Sequence, residues 1–88
     1  MSTLTNDELI TQLAGVMTKG GFPTTAEEIS ANLDEPYERW ELDSLGHLEL
    51  MVALGERYGV RISDADAQAL KTPAATVDYL TGVLRGDD

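Results

Sequence analysis

The chain has 88 residues, 42% of them hydrophobic, and a formal net charge of −10 from 16 acidic and 6 basic side chains. This is apolar enough for one small core and too apolar for a wholly disordered tail, so a single domain over residues 1–88 is expected, frayed at about 86–88. The charge argues against nucleic acid or anionic lipid as a partner, and the lack of cysteine rules out disulfides, thiolate metal sites and a cysteine nucleophile.

The opening MSTLTNDELI has no basic region followed by an apolar block, so it does not read as a secretory leader. No apolar run approaches the roughly 20 residues that cross a bilayer. With the missing cysteines, this makes a cytoplasmic location the expectation. Thr5 to about Lys19 reads as the first helix. Glu8 follows Thr5 by three residues, as in a capping box, and Leu9, Ile10, Leu13, Val16 and Met17 recur at helical spacing. The stretch KGGFP ends it, because paired glycines and a proline do not continue a helix cheaply.

Residues 20–42 form a long connection. Ile29 and Leu33 are placed for a short helical turn and a core contact. DEPYERWEL reads as extended or turned, with Tyr37, Trp40 and Leu42 pinning it to the core. The second main helix is expected from about Ser44 to Tyr58, capped by Asp43 or Ser44 and stopped by a left-handed Gly59. A brief helix from Ser63 to Leu70 follows. A last one begins after Thr72 with Pro73 in its first turn and carries Val77, Leu80 and Leu84 to about Arg85. The fold class is all-α: a small antiparallel bundle of three main helices and one short one.

The helix after Ser44 has more apolar surface than one core contact needs. At about 100° per residue, Leu50, Met51, Leu54 and Tyr58 fall on one face, a normal core stripe. Leu45, Leu48 and Val52 fall on another, with Glu49 and Glu56 beside them and Glu41 just upstream. Apolar residues bordered by acids point to docking of a partner with a basic patch. The alternative is that the long connection folds over that face and buries it.

Ser44 stands where a helix begins, and the N-terminus of a helix favours an anion such as a phosphate. As a nucleophile it would need an activating base. The one histidine, His47, falls toward the core face, where a half-buried structural role suits it better. The Gly-x-Ser-x-Gly elbow is absent, since Leu42 stands two before the serine. DADAQAL lacks the glycine and terminal glutamate of a calcium loop, and no metal or catalytic residue is assigned.

The segment LDSLGHLELMVALGERYGVRI, Leu42 to Ile62, resembles the signature of acyl carrier proteins. It has Asp-Ser-Leu, a glutamate five after the serine (Glu49), aliphatics, and an acid and an aromatic closing the helix (Glu56, Tyr58). Ile62 and then Thr72-Pro73 follow in the family's order, and the resemblance covers nearly the whole chain. It implies a non-enzyme that carries acyl groups as thioesters on a 4'-phosphopantetheine arm at Ser44, beside Asp43. A phosphopantetheinyl transferase would add the arm from coenzyme A. A ketosynthase, an acyltransferase or other pathway enzymes would dock on Glu41, Leu45, Leu48, Glu49, Val52 and Glu56, and the carrier would be a monomer.

Within the family, RWEL before Asp43 lacks the paired glycines of peptidyl carriers. Fatty-acid carriers commonly have glycine where this chain has Glu41, and an acid where it has Gly46. ERYGVRISDADAQALKTP looks more like the discrete carriers of polyketide and related secondary-metabolite pathways, which is the expected setting. The alternatives are a housekeeping fatty-acid carrier and an acidic helical adaptor with no prosthetic group.

Overall fold

The computed structural model describes residues 5–84. Arg85 and the tail at 86–88 lie outside the described residues. The elements run α1 (Asn6–Lys19), α2 (Ala26–Ala31), a 3-10 turn (Tyr37–Trp40), α3 (Ser44–Tyr58), α4 (Asp64–Ala69) and α5 (Pro73–Leu84). Among the described residues there is no strand. The three long helices and the short α4 match the expected bundle. The connection between α1 and α3 is more ordered than expected: its helical turn at Ile29 is a six-residue helix, and Tyr37–Trp40 winds into a 3-10 turn.

Each helix starts where a side chain takes over an unpaired backbone N–H. Thr5 and Glu8 form a reciprocal capping box, with Glu8 N–H donating to Thr5 Oγ1 at 3.1 Å and Thr5 N–H to Glu8 Oε1 at 2.8 Å. Thr25, Asp43 and Ser63 cap α2, α3 and α4, and Thr72 Oγ1 accepts from Ala75 N–H at the start of α5. At its other end α3 stops at Gly59, which is left-handed at φ 65°. The chain then turns back so closely that Val60 N–H donates to the Gly55 carbonyl at 2.9 Å. A Cβ on Gly55 would sit 2.7 Å from the Val60 carbonyl oxygen, so this mid-helix glycine is required by the return of the chain.

One apolar core joins the elements. Leu9, Leu13 and Met17 of α1 meet Ile29 of α2, Leu50, Met51 and Leu54 of α3, and Val77 and Leu80 of α5. Tyr37, Trp40 and Leu42 are all buried, so the three side chains expected to pin the connection do so. The pinning also has a polar part. The Tyr37 hydroxyl donates to Thr76 Oγ1 at 2.7 Å, and the Thr76 hydroxyl donates on to the Thr72 carbonyl at 3.0 Å. Tyr37 N–H donates to the Lys71 carbonyl and Ala74 N–H to the Leu33 carbonyl, so the connection and the start of α5 are laced together. A second clasp joins α1 to α3: Tyr58 Oη and Arg57 Nε both donate to Gln12 Oε1.

Two expectations test this packing. Replacing Gly55 by Ala normally favours a helix by about 1 kcal/mol; here the clash with a backbone oxygen makes Gly55→Ala destabilising by about 1–2 kcal/mol net, read as a lower urea midpoint with an unchanged slope. Burial pushes the Tyr37 phenol above its ordinary value, outweighing the opposing hydrogen bond to Thr76. A raised folded value means that the stability it contributes is complete below the unfolded value and declines as pH rises past about 10. Tyr37→Phe, which cannot ionise, is expected to flatten that alkaline decline while costing about 0.5–1.5 kcal/mol at neutral pH for the lost hydrogen bond.

Candidate functional site

Ser44 is the first residue of α3, and its side chain is exposed. It does not cap the helix. Asp43 does, its Oδ1 accepting from Gly46 N–H at 2.7 Å. Of the two caps the sequence allowed, the structure uses the aspartate, so the serine hydroxyl stays uncommitted at the positive end of a four-turn helix.

The residues around Ser44 are held from several sides. The His47 Nε2–H donates to the Leu70 carbonyl at 2.7 Å, and its ring lies tilted against Tyr37 with centroids 5.5 Å apart. It is half-buried and structural, as its place on the core side of α3 implied. On the other flank Gly46 is buried against Phe22: a Cβ there would lie 2.9 Å from the Phe22 ring and 3.2 Å from Asp43 Oδ1. Glu41, just upstream, closes the 3-10 turn in a left-handed conformation, φ 68° and ψ 21°. Non-glycine residues bear a cost of about 1–2 kcal/mol there.

Beside Ser44 opens a groove of about 630 Å³. Tyr37, Leu42, His47 and Leu48 line its inner side with Ser44, and Ala67, Gln68 and Lys71 face them from α4 and the turn after it. The outer face of α3 is also free. Leu45, Leu48 and Val52 are 62%, 46% and 53% exposed. The connection does not fold over them, since Tyr37, Trp40 and Leu42 turn to the core instead. Glu41, Glu49 and Glu56 are exposed along the same side. The groove and its Lys71 were not foreseen from sequence. Their one signal was the polar, lysine-bearing run QALKTP between two helices, which takes on meaning only when α4 is laid beside α3.

Residues 22–80 match the family model described as "Phosphopantetheine attachment site". An acyl carrier protein of Acidothermus cellulolyticus is 33% identical over 78 residues, covering 88% of this chain and 89% of that one. An acyl carrier protein of an Arthrobacter species is 29% identical over 76 residues, 85% of this chain and 90% of that one. "Acyl carrier protein 2" of Pseudomonas aeruginosa is 36% identical over 55 residues, 61% of this chain and 70% of that one.

The chain belongs to the acyl carrier protein family. Its prosthetic group is 4'-phosphopantetheine, covalently attached, and it is a carrier and not an enzyme. The residues present fit such a group. An exposed hydroxyl relieved of capping duty, at a helix N-terminus and on the rim of a groove, can accept a bulky phosphodiester without disturbing the core. The arm supplies a thiol, which this cysteine-free carrier has no other means to provide.

The division of labour between Asp43 and Ser44 is open to a direct check. Asp43→Ala is expected to lower stability by about 0.5–2 kcal/mol through loss of the cap, whereas Ser44→Ala stays within about 0.5 kcal/mol of wild type. Urea unfolding of the two variants side by side decides it. A larger loss in Ser44→Ala than in Asp43→Ala contradicts the assignment of the cap.

Proposed function

We propose that Ser44 carries the 4'-phosphopantetheine arm and that the carrier serves polyketide or related secondary-metabolite synthesis. The observation that supports the attachment is the cap at Asp43, which leaves the neighbouring hydroxyl free. On modification the Ser44 oxygen bonds to the phosphorus on the pantetheine side of the coenzyme A pyrophosphate, the P–O bond to the other phosphate breaks, adenosine 3',5'-bisphosphate leaves, and the serine proton passes to a base of the transferase or to solvent. Asp43 keeps α3 intact throughout, since its bond to Gly46 N–H does not involve the serine. The polar side chain of Gln68 on the groove supports the choice of pathway: an oxygen-bearing acyl chain finds a hydrogen-bond partner there that a plain alkyl chain cannot use.

Partners are read on the outer face of α3. Glu41, Glu49 and Glu56 attract a basic patch on a phosphopantetheinyl transferase, a ketosynthase or an acyltransferase, and Leu45, Leu48 and Val52 supply the apolar contact. Rim charges mainly raise association rates, and buried apolar anchors slow dissociation. A carrier has to leave each enzyme again, and a strip this narrow suits brief contacts. On this reading the carrier works as a monomer in the cytoplasm.

Incubation with coenzyme A and a broad-specificity phosphopantetheinyl transferase is expected to add the mass of one arm to the wild-type chain and nothing to Ser44→Ala. A gain that persists in Ser44→Ala moves the site elsewhere, and none in wild type favours the unmodified adaptor. With the same transferase, Glu49→Lys is expected to slow association and weaken its salt dependence. Leu48→Ala should mainly speed dissociation with the salt slope unchanged. Both should keep the wild-type circular dichroism spectrum, and collapse of Leu48→Ala would make Leu48 a core residue.

A further inference from the structure

We infer that Lys71 is the counter-charge for the phosphodiester at Ser44, holding the root of the arm across the groove; this rests on the attachment reading above. Ser44 and Lys71 both line the groove, Ser44 from the start of α3 and Lys71 from the turn between α4 and α5. The other charged groups lining it are the carboxylates of Glu38, Asp43 and Asp64. Attachment adds one more negative charge to that set. Lys71 is the one lysine or arginine among the lining residues.

Lys71 is also uncommitted. Its side chain is exposed, and the ion pair found among the described residues is Arg39–Glu35, at 3.9 Å. Arg57 is occupied with Gln12 at the far end of α3. The backbone from which Lys71 projects, by contrast, is fixed. Its carbonyl accepts from Tyr37 N–H at 3.1 Å, and the preceding carbonyl, of Leu70, accepts from His47 at 2.7 Å. A rigid root with a flexible ammonium at its tip suits a phosphodiester, which needs a point charge rather than a planar fork. The contact also opposes the pull of a strongly negative surface on the arm, which would otherwise be driven out toward solvent.

The test uses the whole chain in apo and arm-bearing forms, as wild type, Lys71→Ala and Lys71→Glu, with intact mass confirming one arm per chain. Lys71 is exposed, so apo Lys71→Ala is expected to melt within about 2 °C of wild type, while apo Lys71→Glu, which adds an acid beside Glu38, Asp43 and Asp64, melts lower; the effect of the arm is therefore read as the shift on attachment within each protein. At low salt, attachment is expected to leave the wild-type melting temperature nearly unchanged and to lower that of Lys71→Glu by about 4 °C or more, as for one lost charge contact in a domain of this size. The difference should shrink at about 0.5 M salt, where screening is short-ranged. The phosphorus-31 resonance of the arm should differ between wild type and Lys71→Ala by more than a linewidth at low salt and converge at high salt.

If attachment shifts all three proteins alike and their phosphorus resonances coincide, Lys71 does not contact the phosphodiester and the inference is overturned, with the attachment at Ser44 untouched. A difference that appears only once the thiol carries a carboxylate-bearing acyl group, and not with the bare thiol, assigns Lys71 to the cargo and overturns it too. No mass gain in wild type overturns the inference and the attachment reading together.

Discussion

The hydrogen bond from His47 to the Leu70 carbonyl, with Tyr37 packed against the imidazole, sets the geometry on which the rest of the carrier depends. It fixes α3 to the turn between α4 and α5. Tyr37 bonds to the same turn through its N–H and the Lys71 carbonyl, and to the first turn of α5 through its hydroxyl and Thr76. α3 and the 3-10 turn thus converge on residues 70–76. The bonds are short and partly or wholly buried, where a lost partner leaves an unsatisfied group and costs more than the bond itself contributes. These ties hold the two walls of the groove beside Ser44 at a set separation.

Around that anchor the carrier separates tasks that a small helix usually combines. Asp43 caps the start of α3 and leaves the Ser44 hydroxyl free. The inner face of α3 holds the core through Leu50, Met51 and Leu54, and the outer face presents Leu45, Leu48 and Val52. Charge follows the same division. Acids are spread over the surface, and a net charge of this size opposes self-association; of the cations, Lys19 lies in the last turn of α1, Arg39 pairs with Glu35 and Arg57 donates to Gln12.

Much of this was legible in the sequence because it is local. Thr5–Glu8, Asp43, Gly59 and Thr72-Pro73 mark helix ends through contacts within a few residues, and the two faces of α3 follow from helical periodicity alone. The hydrophobic anchors Tyr37, Trp40 and Leu42 were legible as size and aromaticity in an otherwise polar connection. The order of that connection was less so. Six residues of α2 and four of the 3-10 turn are too short to show a period, and the turn holds because Tyr37 bonds to residues more than thirty positions away. The groove is non-local in the same way: nothing in QALKTP points to Ser44 until α4 packs beside α3. The left-handed Glu41 was visible only as an unexpected residue at a position where glycine is common, and the backbone gives the reason, since glycine would adopt that conformation without strain.

The pairing of Gly46 with Phe22 constrains how this carrier can change over generations. The Phe22 ring occupies the space that any Cβ at position 46 would need. An acid at position 46, common among fatty-acid carriers, therefore cannot be gained in one step without displacing a ring that packs against the core. The contact is with the outer edge of a half-buried ring, so residue 22 has to shift or shrink as the charge is added. Residues in contact couple energetically, so substitutions at positions 22 and 46 are expected to be non-additive. The side chain that position 46 can carry is thus set in the connection after α1, by a residue more than twenty positions earlier in the chain.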